Sequence, residues 1–264
     1  MKKGVILFAY NTEDYDYVKM AEYAVKRIHY FLDLPVTLVT GNRQYQNNLF
    51  DKVIYEEANT NNKKDRKVWF NKDRYKAFDL SPYDNTLILD VDYVVNSQKL
   101  NKLFQIMDDI CVHNTTEFLM QPNLPYEYLS AYSYKTAWAT VIGFKKTNKA
   151  KQVFDCMKMI QENYNHYSNV YNFVAGTFRN DYAISIALHI VNGHLLPKSD
   201  IIPWNLIHVG KNTSVYKTND NVLCEEFVVI FDNWKKNKIK KEYIQFKNLD
   251  FHVINKDNFV ELLP

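Results

Sequence analysis

A short run at residues 86–89, ending in Leu87-Ile88-Leu89, breaks off abruptly into Asp90-Val91-Asp92. A stretch this short and apolar, closed by acids, reads as a buried strand ending at a polar edge. Similar runs precede it at residues 5–9, 35–40 (closed by Gly41-Asn42) and 52–55. Between the first two, residues 13–31 carry Val18, Ala21, Ala24, Val25 and Ile28 at helical spacing. Residues 59–67 are polar and basic and read as a loop, and 69–80 as a helix stopped by Ser81-Pro82. Strand, helix, strand, strand, helix, strand calls for parallel pairing with crossovers, hence an open α/β sheet flanked by helices. Ligands of such sheets bind outside the carboxyl ends of the strands. Asn11-Thr12 and Asp90-Val91-Asp92 are therefore expected to share one crevice.

The second half is less regular. A strand is expected at 136–144, helices at 148–164 and 181–191, short apolar runs at Ile201-Ile202 and 228–231, and a last strand at 249–254 carrying His252. There is no internal repeat or linker, so residues 1–264 are expected to form one domain.

Composition narrows the class. The chain has 264 residues, 47% of them hydrophobic, enough to build a sizeable core and to exclude disorder. Its 33 basic and 30 acidic residues leave a net charge of only +3, which argues against a nucleic-acid-coating protein but permits local basic surface. Cys111, Cys156 and Cys224 have neither zinc spacing nor an even number for a disulfide framework, which fits a reducing cytoplasm. The apolar stretch near the start meets Tyr10-Asn11-Thr12-Glu13 and reads as a first strand, not a signal peptide; no run of about 18 apolar residues exists to span a membrane.

Two carboxylates one residue apart at a strand end suit a hard divalent cation, because Mg²⁺ or Mn²⁺ takes one or two carboxylates together with substrate phosphates. Such a cation neutralises charge on a leaving diphosphate. Alone, Asp-x-Asp fits a turn or helix cap equally well.

Taken together, the motifs resemble the GT-A (Rossmann-like) glycosyltransferases, most closely the glycogenin- and galactosyltransferase-like group. The resemblance rests on Tyr10-Asn11-Thr12 after the first strand, Tyr17-Val18-Lys19-Met20-Ala21 opening a helix, and Arg74 preceding Asp90. It extends to the apolar strand into Asp90-Val91-Asp92, to Asp181-Tyr182-Ala183-Ile184, and to Phe251-His252-Val253. These matches follow one another in order over most of the chain.

The resemblance implies a mostly parallel sheet with a smaller acceptor-side β region, residues 1–95 forming the nucleotide-binding half and 96–264 the acceptor-binding half. It implies a metal, Mn²⁺ or Mg²⁺, on Asp90, Asp92 and His252. A nucleotide-sugar donor, with uridine diphosphate as the expected nucleotide, would lie over Ala9, Tyr10, Asn11, Thr12, Tyr17, Arg74, Asp90, Val91, Asp92 and Lys256. Tyr10 and Tyr17 would pack on the base, Asn11 hydrogen-bond base or ribose, and Arg74 and Lys256 face anionic oxygens. Asp181 would meet the donor sugar or the acceptor hydroxyl, as catalytic base if the reaction inverts. The bland alternatives are a structural role for His252, an N-cap or first-turn acid at Asp181, and a surface ion pair at Arg74. The chain departs from the group at Trp138-Ala139-Thr140, where that group has Asn-x-Gly, and it lacks the Gly and Lys-Pro-Trp pattern after His252.

Three basic runs, Lys63-Lys64 with Arg66-Lys67, Lys145-Lys146 with Lys149 and Lys151, and residues 235–241, are solvated surface or a phosphate-rich acceptor such as DNA. Few glycines and abundant Asn, Lys, Ile and Tyr fit an AT-rich genome. A bacteriophage enzyme that glycosylates hydroxymethylated, flipped-out DNA bases is the expected acceptor reading, with a cell-surface polysaccharide or protein as alternatives. The rival class is a haloacid-dehalogenase-like phosphatase, whose motif Asp90-Val91-Asp92-Tyr93-Val94 resembles, but no Gly-Asp dipeptide follows.

Overall fold

The computed structural model describes residues 1–64, 66–70, 72–119, 127–131, 133–174, 176–210, 212–235 and 238–264. The strands, in chain order, are β1 (Lys3–Ala9), β2 (Val36–Thr40), β3 (Lys52–Tyr55), β4 (Lys63–Lys64), β5 (Lys67–Val68), β6 (Asn85–Leu89), β7 (Tyr93–Val94), β8 (Ile110–His113), β9 (Thr116–Phe118), β10 (Trp138–Lys145), β11 (Leu206–Val209), β12 (Thr213–Lys217), β13 (Glu226–Lys235), β14 (Lys238–Lys247) and β15 (Phe251–Val253). The α-helices are α1 (Tyr17–Leu32), α2 (Ala77–Leu80), α3 (Leu103–Ile106), α4 (Asn148–Glu162), α5 (Tyr164–Tyr171), α6 (Asn180–Val191) and α7 (Lys256–Val260).

Among the described residues a six-stranded sheet runs β3-β2-β1-β6-β10-β8. β1, β2, β3 and β6 pair in parallel, as the crossovers demand, and β10 joins antiparallel to β6 and β8. The fold is thus α/β with a mainly parallel central sheet. Successive side chains of β1 point to opposite faces: Val5, Leu7 and Ala9 enter the core under α1, and Ile6 the core under α4 and α6. All five apolar positions expected on the inner face of α1 are buried. The helix starts at Tyr17, later than residue 13, because the Asp16 carboxylate caps it by accepting from the Lys19 N–H (3.0 Å). Gly143 on β10 leaves room for the Cys111 side chain of β8, since a Cβ there would come within 2.8 Å of Cys111 Sγ.

Several expectations are corrected. Residues 69–80 are not one helix: a 3₁₀ turn (Asp73–Lys76) leads into the short α2, while Trp69 and Phe70 precede both and Asn71 lies outside the described residues. The basic loop contains the β4–β5 hairpin. The helix expected at 148–164 is two, α4 and α5. The short run at 228–231 is the centre of the ten-residue β13, which pairs with β12 and β14 in a second, antiparallel sheet. A third sheet, β7-β15-β11-β9, lies beyond the end of β6 and takes strands from both sides of residue 95.

Candidate metal centre

β6 ends at Leu89, and a tight turn follows: the Asp90 N–H donates to Thr140 O and the Tyr93 N–H to Asp90 O, each at 3.0 Å. The chain then enters β7, which pairs antiparallel with β15 so that Tyr93 opposes His252. The Val253 N–H donates to the Asp92 carbonyl (3.0 Å). This ladder brings the His252 Nε2 to 3.2 Å from Asp92 Oδ1. One ligand atom each from Asp90, Asp92 and His252 lie within 4.8 Å of one another. Two carboxylate oxygens and an imidazole nitrogen fit Mg²⁺ or Mn²⁺, which leave further positions for phosphate and water.

Two cations already face these acids. The Arg74 guanidinium donates to Asp90 Oδ1 and to the Ala139 carbonyl, and the Lys256 ammonium pairs with Asp92 Oδ2 and reaches Val253 O at 3.2 Å. Asp90 and Asp92 are thus balanced by Arg74 and Lys256. A divalent ion added here leaves an excess of two positive charges, which an anionic co-ligand offsets. The Arg74 side chain is only 10% exposed and that of Asp90 24%.

Behind His252 stands a residue that sequence reasoning missed. His208 on β11 pairs in register with His252, and their Nδ1 atoms lie 2.8 Å apart. Burial holds the pKa of both imidazoles below its usual value. A neutral imidazole is the form that ligates a metal.

Asp181 sits in the first turn of α6. Its Oδ1 accepts from the Ala139 N–H (2.9 Å), and its Oδ2 from Arg179 (3.0 Å), a second residue that sequence reasoning missed. At His252, Asp90 and then Asp181 act against the larger effect of burial and favour the protonated form.

The remaining expected donor residues gather at the end of β1 but differ in exposure. Ala9 is fully buried, and Val91 has its side chain in the core. Tyr10 is 9% exposed, packed at 6.0 Å from Phe70. Burial, then Asp73 and Glu56, raise its hydroxyl well above the usual value. Those two acids also line an open depression of about 460 Å³. The Asn11 Oδ1 accepts from the Val18 N–H (2.9 Å), helping to start α1. Thr12 closes a turn with Tyr15, whose N–H donates to Thr12 Oγ1 (3.1 Å). Tyr17 is raised to about 12 by burial, then by Tyr15 and by Asp90.

The basic runs lie apart. Lys67 pairs with Asp14, and Thr177 Oγ1 donates to Lys63 O, so the β4–β5 hairpin stands on the Asp90 side of the central sheet. Lys145 pairs with Asn85 at the opposite end of β6. Lys149 binds the buried Asp200 (3.1 Å). The third run falls on the β13–β14 hairpin, with Lys236 and Asn237 outside the described residues. Among the described residues no helix is long and apolar enough to cross a membrane.

No known protein family matches the sequence, and no curated protein does either. Among solved structures, the fold is similar to the galactosyltransferase LgtC in complex with donor and acceptor sugar analogs, at 14% identity over 70% of each chain and a TM-score of 0.49. It is also similar to mouse xyloside xylosyltransferase 1, at 10% identity over 74% of this chain and 84% of that one (TM-score 0.46). A third match is the glycosyltransferase GlyE of Streptococcus pneumoniae TIGR4, at 16% identity over 70% of this chain and 43% of that one (TM-score 0.41). At these scores the likeness assigns no activity.

Proposed function

We propose that this chain is a GT-A glycosyltransferase that moves a sugar from a nucleoside diphosphate donor, with uridine diphosphate as the nucleotide, to an acceptor hydroxyl. The observation that carries the reading is the meeting of Asp90, Asp92 and His252 beyond the carboxyl end of β6, the strand that pairs in parallel with β1. A bound Mn²⁺ or Mg²⁺ supplies the positive charge that stabilises the departing diphosphate. Asp90, Asp92 and His252 hold that ion, and Arg74 fixes the Asp90 carboxylate. Lys256, beside Asp92, adds a cation for diphosphate oxygens. Tyr10 and Tyr17 flank the base and ribose. Asp181 keeps free lone pairs on a carboxylate whose oxygens already accept from Ala139 and Arg179. Its role in this reading is to hold a hydroxyl of the reacting sugar.

For the acceptor, the β4–β5 hairpin with Lys63, Arg66 and Lys67 supports an anionic partner such as DNA bearing hydroxymethylated bases. The β10 run, at the other end of β6, takes no part in that surface.

The test is a panel of nucleotide sugars incubated with and without Mn²⁺. Slow, EDTA-sensitive release of nucleoside diphosphate from one donor is the expected result. Phosphate release from simple phosphomonoesters, with every nucleotide sugar untouched, would support the phosphatase class instead. Transfer to hydroxymethylated and unmodified duplexes, and to polysaccharide, then separates the acceptors.

A further inference from the structure

His252 presents Nε2 to Asp92 and Nδ1 to His208. His208 is fully buried, its ring centroid is 4.9 Å from that of His252 at 66°, and the Trp138 ring centroid lies 4.7 Å from it. The parallel pairing of β11 with β15 puts the two histidines directly opposite each other, so neither ring turns without breaking this contact. From this geometry we propose that His208 is the positioning residue for His252, holding the ring so that Nε2 faces the cation site and fixing which nitrogen carries the proton. The inference rests on the donor-site reading above.

A hydrogen bond between the two Nδ1 atoms needs one nitrogen to donate and the other to accept. A cation on His252 Nε2 takes that nitrogen's lone pair, which leaves the His252 proton on Nδ1. His252 then donates to a bare His208 Nδ1, and His208 carries its own proton on Nε2. Ligating histidines need such a partner for the nitrogen that does not bind, and its loss commonly weakens metal affinity about 10–100-fold.

Mn²⁺ affinity, measured by electron paramagnetic resonance at saturating uridine diphosphate, tests the role. His208→Leu is expected to bind Mn²⁺ about 10–100-fold more weakly. His208→Asn, whose amide oxygen offers an acceptor near the place of Nδ1, is expected to recover most of that loss. Equal affinity in wild type and a folded His208→Leu overturns the positioning role alone. Absence of Mn²⁺ binding by the wild type overturns the donor-site reading as well. Because His208 is buried, a second measurement uses the wild type only: ¹⁵N spectra of the histidine rings with Mg²⁺ and uridine diphosphate. A protonated His252 Nδ1 opposite a bare His208 Nδ1 is expected, and a protonated His208 Nδ1 in the loaded protein overturns the proposal.

Discussion

Asp181 accepts a 2.9 Å hydrogen bond from the N–H of Ala139, whose carbonyl accepts from the same Arg74 that holds Asp90. One residue of β10 thus ties the acid of α6 to the acid at the end of β6. The two carboxylates keep a fixed relation although they come from distant parts of the chain. Pre-set geometry of this kind is what positions a substrate between a cation and a polar group.

Asp181→Asn is expected to keep its place, because its amide oxygen still accepts from Ala139. The charge facing Arg179 is lost, and with it the strong acceptor proposed for a sugar hydroxyl. Turnover should fall by about 10²-fold or more while the affinity for uridine diphosphate with Mn²⁺ stays near that of the wild type. Steady-state kinetics alongside calorimetric binding of the diphosphate check this. A matching fall in diphosphate affinity would place Asp181 in nucleotide binding instead.

Charge balance predicts coupled binding. Asp90 and Asp92 are matched by Arg74 and Lys256, so a divalent ion alone enters against its own excess charge, and a diphosphate removes that excess. Uridine diphosphate should therefore tighten Mn²⁺ binding by about tenfold or more, and Mn²⁺ should tighten the nucleotide by the same factor. Titrations in both orders check the reciprocity. Independent binding would mean that Lys256 and Arg74 do not share the cation's surroundings.

Arg27 on α1 is fully buried, and burial lowers its pKa. Its guanidinium donates to the carbonyls of Val95 (2.8 Å), Val222 (2.9 Å) and Cys224 (3.0 Å) and to Asn96 Oδ1 (2.5 Å). It thereby ties the segment between β12 and β13 to α1. Arg27→Met leaves these acceptors without their donor and should cost about 3 kcal/mol or more of stability. Urea unfolding measures it.

The Asp250 carboxyl is raised from its ordinary 3.8 to about 6, chiefly by burial, although Asn96 N–H (2.6 Å) and Ser97 Oγ (3.1 Å) donate to it. A folded-state value above the unfolded one means the folded protein binds more protons between those values. This group's contribution to stability therefore grows as pH falls from above 6 toward 4. Asp250→Asn lacks this titration, so the stability of wild type relative to the variant should rise as pH falls from 7 toward 4. Unfolding curves of both proteins across that range check the sign.

The first half of the fold was legible because buried parallel strands read as short apolar runs, and residues 52–55 appear as β3 with those bounds. Asp90 and Asp92 were legible for the same reason, as acids ending such a run. His208 was not. It lies in a four-residue strand whose value comes from its register with β15, and no local pattern records a pairing between distant strands. Arg179 and Ala139 escaped because their contacts pass through the main chain and through the turn into α6. The β13–β14 hairpin was hidden by its lysines: residues 238–247 carry Lys, Glu and Gln at positions that obscure alternation, and lysine has low strand propensity.

The most direct measurement is an anomalous difference map, at the manganese edge, from crystals grown with Mn²⁺ and uridine diphosphate. A single strong peak within bonding distance of Asp90, Asp92 and the Nε2 of His252, with diphosphate oxygens on its open side, is the predicted result. Ordered diphosphate with no peak at that corner, or a peak held by other residues, would contradict it.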